Sequence, residues 1–188
     1  MDDINSIKQE YFDFAYIGLD HGINSIADNG GPLIPFVLSQ TGSEKKLQRF
    51  VTDKYEDGPL QAEDYLKNLT TKPDKALIAF DGFVTLGGEK SDAIIVRCYD
   101  KLESDGLILA QRYAPKKDSK GVEPVGNATL LGRDLNLLKS DNISSEVKIK
   151  KPWWKFQFRM PAANKMFMKQ RLDCKCSTTY LYSISNQR

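Results

Sequence analysis

Residues 75–115 read KALIAFDGFVTLGGEKSDAIIVRCYDKLESDGLILAQRYAP. Apolar runs alternate here with Asp-Gly or Gly-Gly pairs. Tight hairpin turns favour such pairs, because their central residues need positive φ. Asp81-Gly82, Gly87-Gly88 and Asp105-Gly106 therefore predict three chain reversals. The stretch as a whole is typical of an antiparallel meander.

The first of these pairs admits a second interpretation. Residues 76–80 and 83–86 could instead form one long strand that bends at a glycine bulge on Gly82. We keep both interpretations, and the hairpin is the stronger expectation because Asp-Gly between two apolar runs is the typical two-residue turn.

The aspartates at the breaks raise the question of catalysis. Carboxylates that hydrolyse a bond or share a cation must converge within a few ångströms. Asp81, Asp92 and Asp105 fall at different points of the meander. Aspartate before glycine also has a structural cause, since its side chain bonds to the nearby backbone in turns. We therefore interpret these residues as turn formers without a catalytic role.

The residues before and after the meander complete an α+β pattern. Apolar residues at helical spacing predict an N-terminal helix, and Gly18 and Gly22 within it indicate close packing onto a sheet. The order of helix, hairpin, helix and meander predicts an antiparallel meander sheet that is packed by the N-terminal helix and a short second helix. We expect the first helix to have its cap at Ser6 and to stop at 29–32. Strands are expected at 32–40 and 45–53, and a second helix from Gly58-Pro59. A further strand is expected at 123–132.

Composition places the chain among globular proteins with one main core. It has 188 residues, 40% of them hydrophobic and 28% charged, which suits a core domain over 1–139. The acidic N-terminus lacks the features of a signal peptide, and no apolar run is long enough for a membrane span. We expect a cytoplasmic protein.

The charge is divided unevenly along the chain. Residues 146–188 hold seven lysines and three arginines against Glu146 and Asp173, which gives +8. Since the whole chain carries +2, residues 1–145 carry −6. Residues 140–188 therefore form a basic aromatic C-terminal segment on an acidic body, and we expect this segment to pack on the core.

Lysines, arginines and aromatic rings alternate in the C-terminal segment and make it the candidate binding site. A protein partner is the first expectation. Nucleic-acid binding through 148–171 is the alternative, because cations suit phosphate and flat rings suit bases, and a membrane interface attracts the same residue types. The candidate binding residues are Lys148, Lys150, Lys151, Trp153, Trp154, Lys155, Phe156, Phe158 and Arg159.

The chain offers few residues for an enzyme. A metal-dependent hydrolase built on Glu146 and Lys148, with Asp134 or Asp141 as second carboxylate, is the third hypothesis, though such a short pattern is common by chance. His21 is the single histidine and is expected on the surface beside an acid.

The three cysteines do not predict a metal site. Cys174 and Cys176 are too close in sequence for a usual zinc knuckle, and Cys98 suits a small buried apolar position. We therefore predict no catalytic residue, no metal and no cofactor.

These observations favour a non-catalytic cytoplasmic protein-binding module. An acidic body without catalytic groups could mask a basic enzyme surface, as inhibitory or immunity-type proteins do. The sequence predicts neither the identity of the partner nor the oligomeric state.

Overall fold

The computed structural model describes residues 7–139, which contain two helices and one six-stranded antiparallel sheet. The strand order is β2-β1-β3-β4-β5-β6, and each neighbouring pair is antiparallel. The predicted α+β class is confirmed. In chain order the elements are α1 (Gln9–Ile26), β1 (Phe36–Thr41), β2 (Glu44–Arg49), α2 (Asp57–Asn68), β3 (Lys75–Leu86), β4 (Glu89–Asp100), β5 (Asp105–Pro115) and β6 (Val122–Leu135).

The predicted reversal at Asp81-Gly82 is wrong. Both residues lie inside β3, paired with Ile94 and Ala93 of β4 in a register without a shift. The long-strand interpretation holds, but no bulge bends it. A Cβ on Gly82 would approach Ile95 Cδ1 to 2.9 Å. The glycine therefore makes room for a core side chain instead of turning the chain.

The other two breaks differ from each other. Gly87 and Gly88 form the β3–β4 turn with φ of 60° and 86°, as a two-residue hairpin with glycine requires. Asp105 begins β5 instead, and residues 101–104 make the reversal before it. Asp92 lies within β4.

Helix α1 packs on one face of the sheet, which we call the first face. Its buried residues include Tyr11, Phe14 and Leu19, and they join the core formed by alternate residues of β1, β3, β4 and β5. The predicted close approach at the helix glycines is confirmed. A Cβ on Gly18 would lie 2.7 Å from Leu77 Cδ2, and one on Gly22 would lie 2.7 Å from Ile94 Cγ2.

Helix α2 packs on the opposite face, the second face, mainly against β3 and β1. It buries Ala62 and Leu66 there. The sheet residues of this face form a second apolar core, which consists of Val37, Ala76, Ile78, Phe80, Val84, Ala93, Ile95, Tyr99, Ile108 and Ala110, joined by Leu137 and Leu138. The two helices therefore lie on opposite sides of the sheet.

Element ends follow the expected signals to within a few residues. Helix α1 begins two residues later than the expected Ser6 cap implies, with Lys8 as N-cap. Strand β1 starts directly after Pro35, as proline predicts because it cannot donate to the sheet ladder. Within residues 7–139 no helix is long and apolar enough to cross a membrane.

Candidate functional site

The predicted binding residues of the basic segment lie outside the described residues. This applies to all nine of Lys148, Lys150, Lys151, Trp153, Trp154, Lys155, Phe156, Phe158 and Arg159. It also applies to Glu146, Lys148, Asp141 and the two cysteines Cys174 and Cys176. The hypotheses that rest on them stay predictions.

Asp134 is the one member of the hydrolase hypothesis that the structure describes, and it is engaged in an ion-pair network. Its Oδ2 accepts hydrogen bonds from Arg97 Nε at 2.6 Å and from the Tyr99 hydroxyl at 2.8 Å. Arg97 also donates through Nη1 to Glu63 Oε2 at 2.6 Å. A carboxylate that already neutralises a buried guanidinium is poorly suited to hold a metal.

Arg97 lies in the middle of the second face and is 9% exposed. Its network joins three elements, since Glu63 comes from α2, Arg97 from β4 and Asp134 from β6. Burial is the largest single influence on the Glu63 carboxyl, and it raises the pKa. The charges and hydrogen bonds of Arg97 and Lys67 together outweigh burial, so the pKa is lowered. We interpret this network as a link between α2 and the far half of the sheet.

Asp81 is buried on the first face, where it binds backbone and side-chain donors. Its carboxylate accepts from the Tyr113 hydroxyl at 2.7 Å and from Leu33 N at 3.3 Å. Burial raises its pKa to about 6, with a smaller contribution from Asp92 in the same direction. The site has the perturbed carboxyl that catalysis often uses, but neither cavity described below is lined by it.

The remaining residues considered for catalysis do not assemble with Asp81. Asp105 is paired with Arg133, whose Nη1 lies 3.6 Å from its Oδ2. His21 is half-buried against the Phe36 ring and lies 3.3 Å from Arg49 Nη2. The expectation of a histidine beside an acid is therefore wrong, because Arg49 is its charged neighbour. Burial and then Arg49 lower the His21 pKa.

No group of three or more potential metal ligands occurs among residues 7–139. Cys98 is a free thiol and is buried, as expected for a small apolar position. Burial raises its pKa well above the ordinary value, which disfavours the thiolate form that reacts as a nucleophile.

A surface that the sequence prediction missed lies along the exposed side of α1. Asp13, Tyr16, Ile17, Asp20 and Asn24 are all exposed and follow each other at helical spacing, so they share one stripe. We call these five residues the acidic face. Tyr16 is 44% exposed and Ile17 39%. The stripe therefore combines negative charge with accessible apolar surface.

Helix α1 and the residues directly after it carry only negative formal charges. Residues 9–28 contain the four acids Glu10, Asp13, Asp20 and Asp28 and no lysine or arginine. Glu10 and Asp28 have distant lysine partners, at 3.6 Å from Lys75 and 3.7 Å from Lys116. Asp13 and Asp20 have no ion-pair partner among the described residues.

A cavity of about 420 Å³ adjoins the acidic face between α1 and the ends of β5 and β6. We call it the α1 groove. Leu19, Ile23, Val122 and Pro124 give it an apolar floor. Its polar lining includes Asp20, Asn24, Gln111, Lys116 and Glu123. The sequence held a signal for this surface, since the absence of basic residues from the first helix is visible without the fold.

A second cavity of about 180 Å³ lies at the start of α1. It is lined by Lys8, Glu10, Tyr11, Asp74, Lys75, Asp100, Lys101 and Leu102. Lysines and carboxylates pair across it, as Lys75 does with Asp100 at 3.8 Å. We interpret it as a cleft of surface ion pairs.

Comparisons of the chain with protein-family models, curated proteins and solved structures found no match.

Proposed function

We propose that this chain is a non-catalytic protein-binding module that engages a basic surface of another protein through the acidic face and the α1 groove. The observation that carries the proposal is the combination of Asp13 and Asp20 with the exposed side chains of Tyr16 and Ile17 on one stripe. Aromatic and apolar side chains supply binding energy at interfaces, and complementary charge supplies specificity and rate.

The chemistry of the stripe defines the kind of partner. The carboxylates that flank Tyr16 and Ile17 have no ion-pair partner among residues 7–139, although Asp13 accepts a hydrogen bond from Gln9 at 2.8 Å. A matching surface therefore presents lysine or arginine around an apolar centre. The adjoining groove has an apolar floor, which suits an inserted side chain of the partner. Masking the basic surface of an enzyme, as inhibitory or immunity-type proteins do, is the form of this function that we propose. We place it in the cytoplasm, where a free thiol such as that of Cys98 persists.

Charge reversal tests the proposal. Immobilised wild-type protein and the double variant Asp13→Lys/Asp20→Lys are compared in capture from extracts of the native cells. The control is Asp53→Lys/Asp64→Lys, which changes the same total charge at two exposed positions away from α1. We expect one basic protein to bind wild type and control, and to be lost from the α1 variant. Equal retention by all three proteins, or no retained protein at low salt, overturns the proposal.

Nucleic-acid binding through 148–171 remains the alternative hypothesis and has its own measurement. Titration of labelled single-stranded and duplex oligonucleotides at two salt concentrations would show affinity that falls steeply with salt if it holds. The acidic-face variant separates the two hypotheses, because reversing Asp13 and Asp20 would strengthen phosphate binding and weaken binding of a basic protein.

A further inference from the structure

Strands β1 and β2 lie beside helix α1 on the first face of the sheet. Helix α1 packs mainly on β4 and β3, and its His21 ring contacts Phe36 of β1 with 5.0 Å between the ring centroids. Arg49 of β2 pairs with Phe36 and lies 3.3 Å from His21. The two strands therefore form a surface next to the helix, which we call the β1–β2 surface.

Exposed apolar side chains occur on this surface and on the neighbouring side of the helix. Ile34 and Val51 lie at the open end of the β1–β2 hairpin, where one further backbone hydrogen bond continues the ladder. Ile34 is 38% exposed and Val51 81%. Ile17, one helical turn before His21, is 39% exposed. Apolar side chains grouped in this way are typical of an interaction surface.

Strand β2 also carries cations on this face without an ion-pair partner. Lys45 and Arg49 share the first face, because they are four residues apart in a strand. Lys46, which lies on the other face, pairs with Glu44 at 3.3 Å. Neither Lys45 nor Arg49 has an ion-pair partner among residues 7–139. The neighbouring helix carries Asp13 and Asp20 in the same condition, so the two elements leave opposite charges unpaired side by side.

Helix α1 and strand β2 run in the same direction. Lys45 is level with the start of the helix, since it lies across β1 from Lys75, whose Nζ is 3.6 Å from Glu10 Oε2. Arg49 is level with His21, which it contacts. The first cation of the strand therefore lies beside the first turns of the helix, and the second lies beside its centre.

The dimensions of the two elements match as well. Asp13 and Asp20 are separated by about 10 Å along the helix axis, and Lys45 and Arg49 by about 13 Å along the strand. Two neighbouring strands are about 10 Å wide, which is close to the diameter of a helix. A second copy of α1 therefore fits over the β1–β2 surface, with Asp13 near Lys45 and Asp20 near Arg49.

We propose that two copies of this chain form a symmetric dimer through the first face, in which α1 of each copy lies over the β1–β2 surface of the other. A two-fold axis between α1 and β2, parallel to both, exchanges the two elements without reversing their direction. Each charge contact therefore occurs twice, and Ile17, Ile34 and Val51 are buried between the copies. This inference does not rest on the proposed function, but a second copy and a basic protein partner would exclude each other from the acidic face.

Charge reversal on each element tests the dimer in the full-length chain. Asp13→Lys/Asp20→Lys is the helix variant, and Lys45→Glu/Arg49→Glu is the strand variant. Sedimentation equilibrium over a wide range of concentration measures the mass of each protein. The control is Lys46→Glu/Lys54→Glu, which changes the same charge as the strand variant at two exposed positions.

We expect wild type and control to dimerise. The dissociation constant of each reversed variant should rise at least about a hundredfold, because like charges then face each other at every contact. An equimolar mixture of the two reversed variants should dimerise again, since each contact of the mixed dimer joins opposite charges. That recovery also shows that both variants are folded.

Four results overturn the proposal. They are a wild-type chain that stays monomeric, a dimer that withstands both reversals, an assembly that grows beyond two copies, and a mixture of the reversed variants that stays monomeric. The strand variant keeps the acidic face intact, so its capture of a basic protein is measured independently of dimerisation. Failure of the dimer and failure of the proposed function are thereby distinguished.

Discussion

The hydroxyl of Tyr113 on β5 donates to Oδ1 of Asp81 on β3 at 2.7 Å, across the intervening strand β4. The other carboxylate oxygen of Asp81 accepts from Leu33 N at 3.3 Å, in the loop before β1. The backbone N–H of Asp81 donates to the Tyr55 hydroxyl at 2.6 Å. Asp81 thus links β3 to β5 and to two loops, one before β1 and one before α2, and it does so from a position that is 9% exposed.

The ionisation of Asp81 should make stability depend on pH. Burial raises its pKa in the folded protein to about 6 from an ordinary value of 3.8. Between these values the folded state binds more protons than the unfolded state, so the free energy of unfolding rises as pH falls from about 6 to about 4. We expect Asp81→Asn to be more stable than wild type at pH 7, by up to about 3 kcal/mol.

Urea denaturation of the two proteins at pH 4.5 and pH 7 (about the two ends of this titration) checks this expectation. The difference in free energy of unfolding between Asp81→Asn and wild type should be smaller at pH 4.5 than at pH 7, which are about the ends of the titration. Asp53→Asn, at an exposed position, is the control and should match wild type at both. A destabilised Asp81→Asn at neutral pH would show that the hydrogen bonds outweigh the cost of burying the charge.

The ionisation of His21 should also make stability depend on pH, but in the opposite direction. Burial is the larger cause that lowers its pKa, and Arg49 is the smaller. The unfolded chain therefore takes up a proton below about pH 6.5 that the folded protein resists, so this group reduces stability on acidification. We expect Arg49→Gln to raise the His21 pKa while leaving it below its ordinary value.

NMR titration of the single histidine ring measures that pKa directly. Lys45→Gln, on the same strand β2, is a control for the loss of one positive charge. An unchanged pKa in Arg49→Gln would mean that burial accounts for the whole effect.

The Glu63 carboxylate forms one ion pair with a buried side chain and another with a more exposed one, so the contributions of the two pairs to stability can be compared. It contacts Arg97 at 2.6 Å and Lys67 at 2.6 Å, and the Arg97 side chain is 11% exposed against 39% for Lys67. Removing Arg97 leaves Glu63 with Lys67 as its remaining ion-pair partner and leaves Asp134, which is largely buried, with no cation partner among the described residues. We expect Arg97→Met to cost roughly 3–5 kcal/mol of folding stability and Lys67→Met less than about 1 kcal/mol.

Thermal or urea unfolding of both variants tests the contrast. A triple variant that also replaces Glu63 by Gln and Asp134 by Asn should recover part of the loss, because it removes the two carboxylate charges that Arg97 neutralises. Similar costs for Arg97→Met and Lys67→Met would contradict a structural role for the network.

Gly18 should resist substitution even though it lies inside a helix. Alanine in place of glycine gains about 1 kcal/mol of helix propensity, but the new Cβ would lie 2.7 Å from Leu77 Cδ2. Overpacking of a core costs roughly 1–3 kcal/mol, so we expect Gly18→Ala to be less stable than wild type. Asn24→Ala, on the exposed stripe of the same helix, should be neutral or slightly stabilising. If both variants gained stability in urea denaturation, the tight packing of α1 on β3 would be refuted.

Local patterns in the sequence predicted the order of the elements and the turn at Gly87-Gly88. Apolar periodicity and glycine placement act between near neighbours, so they are visible without the fold. The same patterns predicted the close packing of Gly18 and Gly22. They failed at Asp81-Gly82, because a turn pair and a glycine that accommodates Ile95 look alike in one dimension.

The candidate site was only partly accessible to the same reasoning. The acidic composition of the body and of the first helix can be counted from the residues alone. The groove beside the helix could not be predicted, since it forms where α1 meets the ends of β5 and β6, far apart in the chain. The same holds for the pairing of Arg97 with Glu63 and Asp134.

The sequence by itself determined an α+β chain with an acidic body and a basic aromatic end, because composition and short-range periodicity suffice for that. Tertiary structure alone decided that Asp81 lies buried within a strand, bonded to distant residues, and that Asp20 of α1 lines a groove. The physical reason is that burial and contact depend on which distant residues meet, and backbone pairing across the sheet sets those meetings.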